Sequence, residues 1–404
     1  MSTTMKIEDT VGLTVCKKHP LSIDRGKGVW VWDESGRQYL DFTSGWGVTS
    51  LGHSHPAIVK AVTDQAAKLM QNPNSGFTYS PIRSKLLELL SGVLPKGLDR
   101  VFFANSGAES NDLALKVARK ATQRSKIISL TGSFHGRTLA TLSVSGGVDR
   151  VSRFSPRVDD TCFVPLGDIE AFSAQLTNDV AAVIIEPVLG EGGARPVNKE
   201  YLQDIARLCK ANKSLLIIDE VQTGFCRTGR FFGMEYSGVN ADILTFGKGI
   251  GGGFPFAGVA MAQEIADCVQ VGDHGGTYCG NPLACAVAFT VVSYLKDNDI
   301  AQRVEQTARY MQRHLAALQR RFPQIITELR GQGLLIGLQL QSDEQVEDLC
   351  SHCLDQGLLI TPTRDAIVRL LPSLLISKEE VDEGLARLDR ALAVLGSSDE
   401  RLAV

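Results

Sequence analysis

LLIIDEVQTGFCRTG, residues 215–229, and DILTFGKGIGGGFPF, residues 242–256, are two apolar runs that each stop abruptly at polar residues. The first delivers Asp219 and Glu220 at its end, the pattern of a fully buried strand with acids at its carboxyl edge. In open α/β sheets that edge is where ligands bind. The second stops at Gly247-Lys248-Gly249 and a glycine-rich loop, so one lysine stands at a strand tip with backbone able to close around it. A desolvated lysine amine attacks carbonyls, and Schiff-base chemistry with pyridoxal phosphate is a main use of such a residue. An acid at the neighbouring strand end would keep a pyridinium nitrogen protonated and let the ring act as an electron sink. Taken alone, Asp219 also reads as a cap or turn residue and Lys248 as a solvated loop lysine.

Outward from this stretch the pattern is α/β. VFFA (101–104) reads as a short strand running into Asn105-Ser106-Gly107-Ala108 and a helix from about residue 109 to 121. A helix N-terminus opened by Ser and Gly presents free N–H groups and a positive dipole end, a seat for phosphate as well as an ordinary cap. VAAVIIEPVLGEGG (180–193) is a further buried strand ending in acids, and AIVRLLPSL (366–374) embeds one arginine in an apolar run, which calls for a nearby anion. VWVW and YLDF, around DESGRQ, read as a hairpin. His53 and His55, beside Gly and Pro without acid or thiol company, read as loop and cap residues rather than metal ligands.

Composition bounds the function. The chain has 404 residues, 44% of them hydrophobic, with net charge −3. A pI near 6.2 argues against nucleic acid as a main partner. No apolar run approaches the roughly 20 residues that cross a bilayer, and residues 1–20 lack a signal-peptide pattern, so a soluble cytoplasmic protein without membrane contact is expected. Nine scattered cysteines suggest reduced thiols. Cys350 and Cys353 lie in a helical pattern with no second ligand pair, and no metal site is expected.

IIDEVQTG followed 29 residues after Asp219 by the lysine of FGKGIGGGFP resembles the signature of the class III pyridoxal phosphate aminotransferases, which include acetylornithine, ornithine and 4-aminobutyrate aminotransferases. The resemblance covers about residues 28–385. It implies the fold type I architecture: a large, mostly parallel seven-stranded sheet domain with a smaller α/β domain from both termini. The expected division is residues 1–50 in the small domain, 51–295 in the large domain and 296–404 in the small domain again. By the same resemblance Lys248 carries the cofactor, pyridoxal 5′-phosphate, and moves the proton, while Asp219 holds the ring nitrogen. Ser106, Gly107 and Ala108 seat the phosphate. Phe134, in FHGRT, stacks on the ring beside His135, and Glu220, Val221 and Gln222 follow Asp219 as cofactor contacts. Thr277, in GGTYCGNP, reaches the phosphate of the neighbouring subunit, which implies a homodimer with shared active sites. Arg137 receives a substrate carboxylate, and Glu191 with Arg369 forms a switchable pair.

Four positions depart from the acetylornithine pattern: Trp46, Thr49, Leu189 in place of the usual glutamine, and Gly276. By the same resemblance all four sit on the substrate side, so the donor is expected to shift from acetylornithine toward another ω-amine. The function expected is transfer of an amino group from an ω-amine such as acetylornithine or ornithine to 2-oxoglutarate, in two half-reactions. A 4-aminobutyrate-type or other diamine aminotransferase is the alternative within the class. A non-catalytic pyridoxal phosphate sensor would need an output module that the sequence does not show. A nicotinamide dehydrogenase would need G-x-G-x-x-G spacing, which GIGGGF lacks.

Overall fold

A computed structural model of the chain describes residues 2–146, 153–155, 157–158 and 160–402. Its centre is a seven-stranded sheet built from β1 (Arg100–Ala104), β2 (Lys126–Leu130), β3 (Thr161–Val164), β4 (Val180–Ile185), β5 (Leu215–Asp219), β6 (Ile243–Phe246) and β7 (Ala257–Met261). The spatial order is β1-β7-β6-β5-β4-β2-β3. Only β7 runs against its neighbours, pairing antiparallel with β6 and β1. The other pairs are parallel.

The apolar runs exist because both faces of this sheet are covered. Successive side chains of a strand point to opposite faces. Ile217 and Ile243 accordingly pack with Leu113, Val117 and Ala118 of the helix Gly107–Thr122 on one face. Leu216, Ile218 and Leu244 join Leu202 and Ile205 of the helix Lys199–Asn212 in the core on the other. Each of these positions loses its water, worth about 1.5–3 kcal/mol per large apolar side chain, so register is strongly held. Asp219 pairs with Thr245, which brings the carboxyl ends of β5 and β6 side by side.

A smaller unit draws on both ends of the chain. The expected hairpin is Trp30–Asp33 with Gln38–Asp41, extended by Ile23–Lys27. Its last strand is paired in parallel by Leu358–Leu359 from the far end of the sequence. A second four-stranded sheet contains Leu335–Gln339 and Ile367–Leu370, the strand that carries Arg369. The helix Pro56–Ala66 opens with proline at its first turn, and none of its residues is buried. Cys350 and Cys353 are buried in the helix Asp343–Asp355. No helix among the described residues is long and apolar enough to cross a membrane.

Candidate active site

The carboxyl ends of β4, β5 and β6 bound a cleft. Asp219, the last residue of β5, is buried, and each of its oxygens is already oriented by a donor. Oδ2 accepts hydrogen bonds from His135 Nδ1 and Asn111 Nδ2, both at 2.7 Å, and Oδ1 accepts from the Val221 N–H at 3.0 Å. Asn111 is itself fixed, since its Oδ1 takes the Thr245 hydroxyl at 2.6 Å and its amide also donates to the His135 carbonyl. Charge-assisted bonds of this kind are short and hold a carboxylate in one orientation. One strand over, Lys248 follows β6 in a tight turn with φ of +46°, a left-handed conformation costing a non-glycine residue about 1–2 kcal/mol. The turn is braced by Ser50, whose hydroxyl donates to the Gly249 carbonyl at 2.8 Å.

Part of Lys248 stays open to solvent at the cleft floor while protein surrounds the rest. That desolvation, aided by the positive charge of Arg369, lowers the amine below its ordinary value; Glu191, Glu186 and Asp219 act in the opposite direction. The outcome is an amine that loses its proton more readily than a surface lysine, the state needed for attack on a carbonyl.

The helix Gly107–Thr122 opens toward the same cleft. The Ser106 hydroxyl accepts from the Glu109 N–H at 3.2 Å, and the Glu109 carboxylate accepts from the Asn105 N–H at 2.7 Å, so the cap is satisfied by side chains. The first-turn N–H groups of Gly107 and Ala108 have no carbonyl a turn earlier and point off the helix end. Gly107 is required by packing: a Cβ there would lie 2.6 Å from Val221 Cγ1. Phe134 is partly buried, with the Arg137 guanidinium 6.0 Å from its ring centre and Arg137 itself exposed. These features fit a phosphorylated pyridine: an anion seat, an aromatic face, a carboxylate and an amine at neighbouring strand ends.

Arg369 is the largest fully buried side chain in the molecule's described part. Its Nη1 pairs with Glu191 Oε1 at 2.7 Å and donates to Gln222 Oε1 at 3.3 Å, while Nε and Nη2 have no partner among the described residues. Gln222 Nε2 is likewise without one. A buried guanidinium left partly unsatisfied is costly, and the open donors mark where an anion or acceptor would sit.

Other sequence candidates lie elsewhere. Glu220, the residue directly after β5, has hydrogen-bond partners different from those of Asp219. Its fully buried carboxylate accepts from the Thr223 hydroxyl and from the N–H groups of Gly233 (2.9 Å) and Met234 (2.7 Å). Burial, against those bonds, pushes it up to about 7. Leu189 is a core residue, 3.8 Å from where a Cβ of Gly132 would sit. Trp46 is largely exposed on a turn in which Ser44, Gly45, Trp46 and Gly47 all have positive φ. That turn is braced by Asp41, which accepts from the Thr43 N–H and hydroxyl and pairs with His53 at 2.7 Å. Gly276 and Thr277 are exposed, and their carbonyls accept from Ser75.

Two residues were passed over in the sequence. Glu186, just beyond β4, accepts from the Phe134 N–H at 2.9 Å and the Gly190 N–H at 3.0 Å. Burial pushes it up to about 7, with His135 lowering and Asp219 raising it further. Arg227 is buried and forms no ion pair among the described residues, donates to the Leu334 and Pro372 carbonyls at 3.1 and 2.6 Å, and is pushed down to about 9 by desolvation. The signal for Glu186 was an ionisable residue directly after the apolar run 180–185, whereas Arg227 lies among Thr, Gly and Arg in TGFCRTGR and carries no such signal.

This fold and cleft are those of a transaminase, and the family comparison agrees: the aminotransferase class-III model matches residues 14–392, and the chain belongs to that pyridoxal phosphate-dependent family. A [LysW]-aminoadipate semialdehyde transaminase from Deinococcus radiodurans is 41% identical over 96% of this chain and 90% of its own length. An acetylornithine aminotransferase from Agrobacterium fabrum is 41% identical over 95% and 96%. Among solved structures, the ornithine aminotransferase of Toxoplasma gondii, described with partial occupancy of pyridoxal phosphate at its active site, superposes with a TM-score of 0.92. It is 31% identical, and the match covers 98% of this chain and 95% of that one.

Proposed function

We propose that the protein transfers an amino group from an ω-amine, of the acetylornithine or ornithine kind, to 2-oxoglutarate through two half-reactions on one cofactor. The single observation that carries this reading is the buried Arg369, paired with Glu191 at 2.7 Å beside Gln222 and with two nitrogens unsatisfied. A dicarboxylate brings a carboxylate that can take Arg369 from Glu191. An ω-amine donor has no such group near its reacting amine, so Glu191 keeps the charge neutralised. The names of the relatives support this, since acetylornithine and an aminoadipate semialdehyde both react far from their α-carboxylate.

When bound, pyridoxal phosphate supplies the carbonyl that holds the amine and an electron sink for the carbon losing its proton. Lys248 would hold the cofactor covalently and, once released, carry the proton at its Nζ as general base and acid. Asp219, with its orientation set by His135 and Asn111, would keep the ring nitrogen protonated. Gly107 and Ala108 would take the phosphate, Phe134 one ring face, Gln222 the ring oxygen and Arg137 a substrate carboxylate. We also infer a homodimer. Phe77, Tyr79 and Tyr278 are large, exposed rings close in sequence to Ser75 and Thr277, and an apolar surface of this kind fits a partner subunit.

The test is a panel of amines, including acetylornithine, ornithine and 4-aminobutyrate, against 2-oxoglutarate and pyruvate. ω-Amine turnover with 2-oxoglutarate, lost in Arg369→Ala while pyruvate use remains, supports the reading. Equal loss with both acceptors removes the switch from it.

A further inference from the structure

We propose that Glu186 is a positioning residue, whose single carboxylate sets the ring of Phe134 and the turn carrying Glu191 in fixed relation, and through that turn governs the exchange of Arg369 between Glu191 and substrate. The proposal rests on the reading above of Phe134, Glu191 and Arg369.

Glu186 sits directly beyond β4 and is buried, and among the described residues it forms no ion pair with a lysine or arginine. Its two oxygens are divided between two loops. Oε1 accepts from the Phe134 N–H at 2.9 Å, in the loop after β2, and Oε2 accepts from the Gly190 N–H at 3.0 Å, one residue before Glu191. With the carboxylate ionised both are charge-assisted bonds in a dry setting, where such bonds resist displacement. A carboxylate is rigid, so these bonds fix the separation of the two loops.

The contact does not end at Gly190. A Cβ at that position would fall 1.8 Å from Gln222 Oε1, so the turn is pressed against the side chain that also touches Arg369. Moving the Gly190 N–H therefore moves Glu191 directly and Arg369 through Gln222. The charged and titratable groups facing Glu186 are His135, Asp219 and Lys248. The Phe134 and Gly190 N–H groups donate to the Glu186 carboxylate and to none of these three. Glu220 offers the contrast: it too is a buried carboxylate holding two N–H groups, but those belong to Gly233 and Met234, away from the cleft. Glu220 braces a turn, whereas both partners of Glu186 carry cleft residues.

The experiment uses the pyridoxal phosphate-loaded enzyme and the variant Glu186→Gln, which keeps the volume but presents one of the two N–H groups with an amide NH2. Single-turnover rates with glutamate and with the best ω-amine donor are followed by the cofactor's absorbance. Loosening the Gly190 turn weakens the Glu191 hold on Arg369, so the glutamate-to-donor rate ratio rises about tenfold, equivalent to about 1.4 kcal/mol, and the visible absorption maximum shifts as Phe134 moves. A ratio within twofold of wild type, or a fallen one, overturns the proposal whatever happens to Tm. If Glu186→Gln does not fold, Glu186→Asp is read by the same ratio, since the shortened side chain reaches only one of the two N–H groups. A wild-type enzyme that is colourless or transaminates nothing would instead defeat the underlying reading.

Discussion

Replacing Glu191 by glutamine removes a charge while leaving an acceptor of the same shape against Arg369. Two unit charges about 4 Å apart attract by about 4 kcal/mol at an effective dielectric of 20. The Glu191 side chain is 29% exposed and Arg369 is 0% exposed, so screening acts on one partner only. About 1–2 kcal/mol remains. In wild type an incoming dicarboxylate must displace that interaction. In Glu191→Gln it need not, and its affinity should rise about 5- to 30-fold. The donor half-reaction should slow, because the donor now faces an unneutralised guanidinium. The substrate-free holoenzyme should melt about 1–2 °C lower and recover when 2-oxoglutarate is added. Stopped-flow absorbance of each half-reaction, with melting curves in parallel, measures all three. Unchanged or weaker dicarboxylate binding in Glu191→Gln would refute the competition between Glu191 and substrate for Arg369.

Asp219→Asn should retain cofactor but lower single-turnover rates at least a thousandfold, about 4 kcal/mol, because an amide no longer holds the ring nitrogen protonated and must turn an NH2 toward a donor; near-normal rates would contradict this. Gly107→Ala should destabilise the protein by about 1–3 kcal/mol, since its Cβ would meet Val221 Cγ1 at 2.6 Å, and should weaken pyridoxal phosphate binding in an equilibrium titration. Glu220 is raised to about 7 in the fold from an ordinary value of 4.5, so between those values the folded state holds the extra proton and stability falls as pH rises. Apoenzyme stability should therefore drop from pH 5 to pH 7, and Glu220→Gln should flatten that drop in denaturant titrations.

The strand ends were legible because a long apolar run that stops sharply at an ionisable residue marks the end of a strand buried on both faces. Asp219 and Lys248 are such residues, and the neighbouring-strand register brings the two strand ends together. Arg369 was legible for the opposite reason, as a charge that apolar neighbours cannot leave alone. The partners of Glu220 were not legible from its adjacency to Asp219, since its carboxylate accepts from the N–H groups of Gly233 and Met234, 13 and 14 positions later. Leu189 was expected to bear on substrate, yet it packs into the core over Gly132. Glu186 escaped notice because its partners are backbone N–H groups of residues 52 positions earlier and four later, and no residue pattern announces a backbone contact. The His53 pairing with Asp41 was equally silent, since it depends on how the turn at Ser44–Gly47 folds back.

The central claim is that Lys248 is the amine that holds the cofactor. Borohydride reduction of the yellow protein followed by peptide mapping tests it most directly. The pyridoxyl group should be found on Lys248, with none incorporated at that peptide in Lys248→Ala. A pyridoxyl group on any other lysine of the wild-type chain, with Lys248 unmodified, would contradict the account.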